Sequence, residues 1–448
     1  MTQIPQQDPP ADIAGSGLPA RRAALALVEA ALSRRGGFEE AMNQPPYSRL
    51  TGPDRSFARM LASTILRGLG QIDALLDRRL KDAPPPQARA LLRLGAAQIL
   101  FGLAPAFAAV STTLTLAEES TSTQRFKGLM NAILRGLDRD GGASLLAVLD
   151  PSVNVPAWLL TRWKSAHGDA ACIALSARIP ETPPTDLTPK APDDAEAIAE
   201  AVEGVVLATG SIRTTRRGDV AEFPGYDEGV WWVQDAAAAI PARLLDIRPG
   251  QTALDMCAAP GGKTMQLAAA GAAVTALDRS PKRLARVSEN LARTGLEAEL
   301  VTGDAGAFSE PDTAGAPRTF DAVLLDAPCS ATGTFRRHPD VLWGARPADI
   351  AKLAGVQSRM LDAAARLTAP GGLLVYSVCS LEPEEGEAQA AGFLQRHPGF
   401  SRRPIDPAAY GLLADAVTRD GDLRLLPGAA VPDGGQDGFF AARFVNNN

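Results

Sequence analysis

Two cysteines stand where chemistry, more than packing, would want them. Cys329 lies between Pro328 and Ser330 in "LDAPCSATG", and Cys379 precedes Ser380 in "YSVCSLEPEEGE". Both follow apolar runs that end in polar residues, and thiols at such ends are candidate nucleophiles. Three acids recur in the same kind of place: Asp278, Asp304 and Asp326 each close an apolar run. A further element, "TALDMCAAPGGKTMQLA" (252–268), puts a tight Gly-rich turn between a strand and a helix start. Such a turn lets backbone N–H groups and a helix N-terminus approach a polar ligand. It is not a phosphate-cradling P-loop, which needs glycine six residues before its lysine, where this chain has Cys257 before Lys263. The dinucleotide fingerprint G-x-G-x-x-G is absent as well.

These residues need a scaffold that brings strand ends together. Thr252–Met256, "AAVTALDRS" (272–280), "AELVTGDA" (298–305), "FDAVLLDAPCS" (320–330) and "GGLLVYSVCS" (371–380) are five apolar runs alternating with helical patterns. The alternation predicts an α/β domain with a parallel sheet whose C-terminal strand ends open onto one cleft. Asp278, 23 positions after Asp255, suits a pair of ribose hydroxyls at the end of the second strand.

Taken together, "DMCAAPGGKT", "LDAPCSATG" and "YSVCSLEPEEGE" resemble the Sun/nucleolar-protein family of S-adenosylmethionine-dependent RNA cytosine-5 methyltransferases, in its bacterial RsmB-type branch. The catalytic resemblance covers about residues 230–445. It implies a Rossmann-like class I methyltransferase domain, with S-adenosylmethionine as cofactor and 16S rRNA, or a 30S assembly intermediate, as partner. By position, Cys257, Ala258, Ala259, Pro260, Gly261, Gly262 and Lys263 would wrap the methionine moiety, Asp278 the ribose and Asp304 the adenine amino group. Asp326 would border the cofactor and contact N3 of the target base. The family's nucleophile corresponds to Cys379, whereas DNA cytosine-5 methyltransferases would use Cys329, so Cys329 is assigned to product release. Two departures, Ala331 for the common Gly and Val378 for the usual Thr, remove no reacting group. Arg336, Arg337 and His338 in "TFRRHPDVLW" form a candidate RNA-phosphate loop beside the site, or else a solvated turn.

The reaction explains the residue types. Cytosine C5 attacks a methyl sulfonium poorly until a thiolate adds at C6, and an acid near N3 lowers the barrier to that addition.

Residues 19–140 read as short amphipathic helices with apolar stripes such as Leu25, Val28 and Leu32. Periodicity gives only a helical bundle. "FKGLMNAILRGL" makes it resemble the NusB-like RNA-binding domain. Residues 141–230 hold a turn-rich linker, a Pro-rich extended segment and, by the family resemblance, a small α+β connector. There Arg213, Arg216 and Arg217 interleave with Phe223, Tyr226, Trp231 and Trp232, which fits either nucleic-acid contact or a small core. The organisation expected is a disordered leader (1–18), the helical domain (19–140), the connector (141–230) and the methyltransferase domain (231–448).

Composition narrows the alternatives. Four cysteines without a C-x-x-C pair and three histidines argue against a metal site, and Cys172 reads as core. The net charge is −6, but residues 1–150 carry 17 Lys+Arg against 14 Asp+Glu, so RNA binding would use local patches. The polar, Pro-rich start and the lack of a long apolar run lead to the expectation of a cytoplasmic monomer away from membranes. Other readings are a transferase acting on tRNA or another RNA, one acting on a protein or small molecule, and a non-catalytic RNA-binding or antitermination factor.

Overall fold

The computed structural model describes residues 17–33, 37–309, 318–428 and 435–448. Residues 1–16, most of the expected leader, lie outside the described residues. The chain forms two compact units. One runs to Arg162 and includes residues 179–181 and 338–344. The other comprises 163–178, 182–337 and 345–448.

The first unit is all-helical, as its periodicity predicts. Helix Lys127–Arg139 buries Met130, Ile133, Leu134 and Leu137 at i, i+3, i+4 and i+7. Helix Leu18–Ser33 buries mostly small residues, Ala20, Ala23, Ala24, Leu27, Val28 and Ala31, so its neighbours approach closely. The apolar pattern running through residues 53–80 splits into helices Gly52–Arg67 and Leu69–Asp77. Gly68 sits at the break, where a Cβ would come within 2.3 Å of the Phe101 ring.

The second unit holds two sheets. Strands β1 (Thr185–Pro189), β2 (Gly204–Val206), β3 (Ile212–Thr214) and β4 (Trp231–Val233) pair antiparallel in the order β2-β3-β1-β4. With helix Ala195–Ala201 they form the small α+β element. Its aromatics make a core: Trp231 and Phe223 are buried with Leu187, Ile198 and Ile212. Arg213 donates two 2.7 Å bonds to the Asp186 carboxylate inside that element. Removing either partner of such a buried pair costs about 3–5 kcal/mol. Of the two openings offered by the Arg/aromatic pattern, Arg213, Phe223 and Trp231 take the structural one.

The larger sheet contains β5 (Thr252–Met256), β6 (Ala273–Asp278), β7 (Glu299–Thr302), β8 (Phe320–Asp326) and β9 (Thr368–Val378), followed by β10 (Phe400–Arg402), β11 (Leu423–Leu425) and β12 (Phe439–Asn446). The order is β10-β12-β9-β8-β5-β6-β7, with β11 also paired to β12. The first five are parallel, as their continuous apolar runs predict for strands covered on both faces. Leu361, Ala364 and Phe393 cover one face, and Ile240, Leu244 and Leu267 the other. The three antiparallel strands at the β9 side are additions the apolar-run reading did not contain. Among the described residues, no helix is long and apolar enough to cross a membrane.

Candidate active site

Register decides which side chains meet. β8 and β9 are neighbours, with Leu325 opposite Tyr376 and Asp326 opposite Ser377. Both chains therefore leave the sheet at the same edge, and Cys329 Sγ comes to 3.5 Å from Cys379 Sγ. The two exits are tied further by the Ala327 amide to Ser377 O (2.9 Å) and the Gly333 amide to Cys379 O (3.0 Å). The helix after β5 adds Lys263, whose Nζ donates to Asp326 Oδ2 at 2.7 Å, while Ser377 Oγ donates to Asp326 Oδ1 at 2.9 Å. Asp326, Lys263 and the two cysteines thus come from three adjacent strand ends.

Burial and neighbouring charge act on two of the thiols. The hydrogen bond to Cys379, then burial, then the charges of Cys379 and Glu385 push the Cys329 thiol well above its ordinary range. A thiol that keeps its hydrogen can donate it to a neighbouring sulfur. Burial, reinforced by Asp326, Asp278 and Asp255, pushes Cys257 up to about 12, so its sulfur is inert at neutral pH. For Lys263, burial pulls downward, but the charge of Asp326, the bond to it and Asp255 win, and the ammonium is held above its usual range.

The turn after β5 is bent by two left-handed residues, Cys257 at φ 67° and Gly261 at φ 106°. Ala258 N–H binds Leu277 O, which fastens the turn to β6, and helix Gly262–Ala269 starts directly behind it. Asp255 is fully buried, accepts from Thr264 Oγ1 at 2.6 Å through Oδ2, and leaves Oδ1 without a donor among the described residues. Asp278, at the end of β6, is 2% exposed. It accepts from Ser280 N–H at 3.0 Å and pairs with Arg283 at 3.1 Å. Arg283 also donates to Ala259 O at 2.7 Å, so this arginine braces the turn against the acid. Asp304 is exposed just past β7 and caps the Gly306 amide at 2.9 Å.

Comparison with known proteins identifies the family. Residues 242–445 match the family described as 16S rRNA methyltransferase RsmB/F, and residues 18–139 the NusB family. Ribosomal RNA small subunit methyltransferase B of Pseudomonas syringae pv. tomato is 35% identical over 95% of this chain and 96% of its own length. The namesake of Pseudomonas putida is 36% identical over 95% and 98%. The chain belongs to the RsmB/F methyltransferase family. Solved structures agree on the fold: the crystal structure of PH0851 aligns over 99% of both chains with a TM-score of 0.73 at 22% identity. A methyltransferase homologue from Pyrococcus horikoshii covers 70% of this chain and 98% of its own, with a TM-score of 0.53 at 25% identity. NSun6 from the same organism, crystallised with SFG, gives 0.52 at 21% identity over 65% and 98%. The family relationship makes the chain an S-adenosylmethionine-dependent RNA methyltransferase.

The basic loop differs from its expectation. Arg336 is 1% exposed and sits in the field of Asp437 and Asp235. Arg337 donates to Asp437 Oδ2 at 2.8 Å through Nε and lies 3.7 Å from Asp235. Both guanidiniums face buried acids, and Arg336 is enclosed, whereas the Arg337 side chain stays 32% exposed. His338 belongs to the helical unit, with Nδ1 3.6 Å from Glu39. Cys172 is buried at 1% exposure, a core position as read. Among the described residues, no group of His, Cys, Asp and Glu is placed to hold a metal ion.

Sequence reasoning missed Arg283 and the polar frame behind the cysteines: Ser330, Gln357, Ser380 and Glu385. The signal available was the run of acids that follows Cys379 within "CSLEPEEGE". It does not say which acid turns inward.

Proposed function

We propose that this protein transfers a methyl group from S-adenosylmethionine to C5 of a cytosine in 16S rRNA, with Cys379 as nucleophile and Cys329 assisting release. The observation that carries the reading is the pair of thiols 3.5 Å apart at adjacent strand ends. Acceptors acting on oxygen or nitrogen need no second cysteine there.

S-adenosylmethionine supplies an electrophilic methyl group when bound. The chain's residues fit it: the bent turn Cys257–Lys263 for the methionine moiety, Asp278 for the ribose and Asp304 for the adenine amino group. The buried, unmatched Asp255 Oδ1 beneath that turn favours a polar ligand. Asp278 then shares its carboxylate between Arg283 and the ribose hydroxyls.

In the reaction the Cys379 sulfur forms a bond to C6, and the C5=C6 electron pair is pushed into the ring toward N3. Asp326, steadied by Lys263 and Ser377, lies beside N3 and orients a proton from water onto it as the charge develops. C5 then bonds to the methyl carbon as the methyl–sulfur bond breaks. Finally the N3 and C5 protons pass to water, the C5–H electron pair re-forms the C5=C6 bond, and the S–C6 bond breaks with its pair staying on the Cys379 sulfur. Cys329 assists that last step, directly or through water. Its raised thiol suits a partner that holds a hydrogen against the Cys379 sulfur when that sulfur carries charge. The helical unit contributes RNA contacts, and the enzyme works as a cytoplasmic monomer on free rRNA or on a 30S assembly intermediate.

The test is one denaturing gel with radiolabelled S-adenosylmethionine and substrate RNA. Cys379→Ala gives no turnover and no covalent complex, whereas Cys329→Ala accumulates a methylated protein–RNA adduct. The opposite pattern reverses the two roles. Bisulfite mapping of rRNA and tRNA from a deletion strain identifies the nucleotide.

A further inference from the structure

Behind the two cysteines lies a carboxylate to which the reaction assigns no step. Glu385 is completely buried, yet its oxygens accept from both cysteine loops at once. From the Cys329 side, the Ser330 amide donates to Oε1 at 2.9 Å and the Ser330 hydroxyl to Oε2 at 2.5 Å. From the Cys379 side, the Ser380 hydroxyl donates to Oε2 at 2.6 Å. Gln357, on helix Pro347–Leu367, donates one amide group to Oε1 at 3.1 Å and to Pro328 O at 3.0 Å, so it holds the acid and the Pro-Cys turn together. The Tyr376 hydroxyl, on β9, donates to the Glu385 backbone carbonyl at 2.5 Å.

We infer that Glu385 is a positioning residue that sets the spacing of Cys329 and Cys379. It touches neither sulfur. It binds the residue immediately after each, through donors that converge on one rigid, planar acceptor. A buried acid used only to hold one loop would need donors from that loop; this one takes them from two loops 50 residues apart in the chain. A carboxylate suits the place because every group facing it is a donor, and it offers four lone-pair positions and no competing hydrogen. Ala331, left-handed at φ 56°, turns the first loop back immediately after Ser330, so the serine is fixed from both sides. The kinetic consequence rests on the cysteine-pair reading above. The geometric one does not.

The probe is phenylarsine oxide, which bridges two neighbouring thiols, titrated into the full-length protein without RNA or S-adenosylmethionine. Wild type takes up one arsenical through Cys329 and Cys379, and uptake is lost in either cysteine variant. Glu385→Ala weakens capture by at least about tenfold, because the thiols lose their shared geometry and with it their effective concentration for each other. Glu385→Gln retains the shape and one acceptor, and the serine hydroxyls can turn to meet its amide, so it returns capture to within about threefold of wild type. Should Glu385→Ala fail to fold, the double variant Ser330→Ala/Ser380→Ala, which deletes the two hydroxyl donors, weakens capture in the same direction. In single-turnover assays the folded variants lose up to about 100-fold in methyl transfer at saturating RNA while RNA and S-adenosylmethionine affinities hold. Wild-type capture in variants that fold overturns the inference, as does a wild type that takes up no arsenical through the two thiols. A wild type that captures the arsenical in a Glu385-dependent way but leaves every cytosine unmethylated removes the proposed function and leaves the positioning role standing.

Discussion

The turn after β5 and the cysteine ends of β8 and β9 lie on one edge of one sheet but treat their buried acids differently. Both carry one non-glycine residue in left-handed backbone, Cys257 in the turn and Ala331 after Cys329, a conformation that costs about 1–2 kcal/mol. The turn buries an acid, Asp255, with one oxygen unmatched among the described residues. Around the cysteines the backbone is cross-tied and both oxygens of the buried Glu385 are taken. In one region the buried acid keeps an oxygen open; in the other its oxygens are taken, and two sulfurs are held at a set distance. The same fold edge thus separates recognition, which leaves a buried acceptor open, from bond making, which needs fixed geometry.

Lys263 bridges the two regions, so changing it tests the contrast most severely. Lys263→Met leaves Asp326 without its counter-ion and should lower methyl transfer about 100-fold, the scale of losing one preorganised electrostatic partner. The pair is partly buried, with side chains 12% and 29% exposed, so the stability loss should be about 2 kcal/mol, below the fully buried range. Single-turnover kinetics and a denaturant melt read the two effects. If only stability falls, Lys263 belongs to the turn alone and the regions are less connected than described.

On the ligand side, Asp278→Ala should weaken S-adenosylmethionine binding by about 1.5–3 kcal/mol, the range for hydrogen bonds to a charged group. Calorimetric titration measures it, and arsenical capture by the cysteines should be unchanged. Unaltered affinity would return Asp278 to the role of an Arg283 brace.

The subtlest expectation concerns Asp255. Burial, opposed by the Thr264 bond and Lys263, raises this carboxyl from 3.8 to about 7. Between those values the unfolded chain has released the proton that the folded chain keeps, so stability falls as pH rises from about 4 to about 7 and then levels off. Asp255→Asn should flatten that fall by up to about 1 kcal/mol per pH unit. Melts at closely spaced pH values decide it. A slope identical to wild type would show that other buried acids, such as Asp437, also raised to about 7, account for the dependence.

What could be read from the chain follows the range of the interactions involved. The parallel strands, the turn and the acids at their ends were legible because each is written in a few consecutive residues. β12, "FFAARFVN", was not read, since Arg443 looks like a surface residue until Asp246 and the Leu244 carbonyl, almost 200 positions earlier, are seen to receive it. Arg336 and Arg337 misled for the same reason. Their partners, Asp235 and Asp437, lie about 100 positions away on either side, and no local pattern announces them. The inward turn of Glu385 among several nearby acids is likewise a tertiary fact.

The placement of β12 also bears on the order in which the protein becomes competent during synthesis. β9, which carries Cys379 at its end, pairs on one side with β8 and on the other with β12, more than 60 residues later in the chain. Until those residues leave the ribosome, β9 is an open edge with unpaired amides and carbonyls. Vectorial synthesis therefore makes the strand behind the proposed nucleophile among the last parts of the sheet to be sealed. A nascent chain can fold its helical unit and its turn well before it holds two finished cysteine loops.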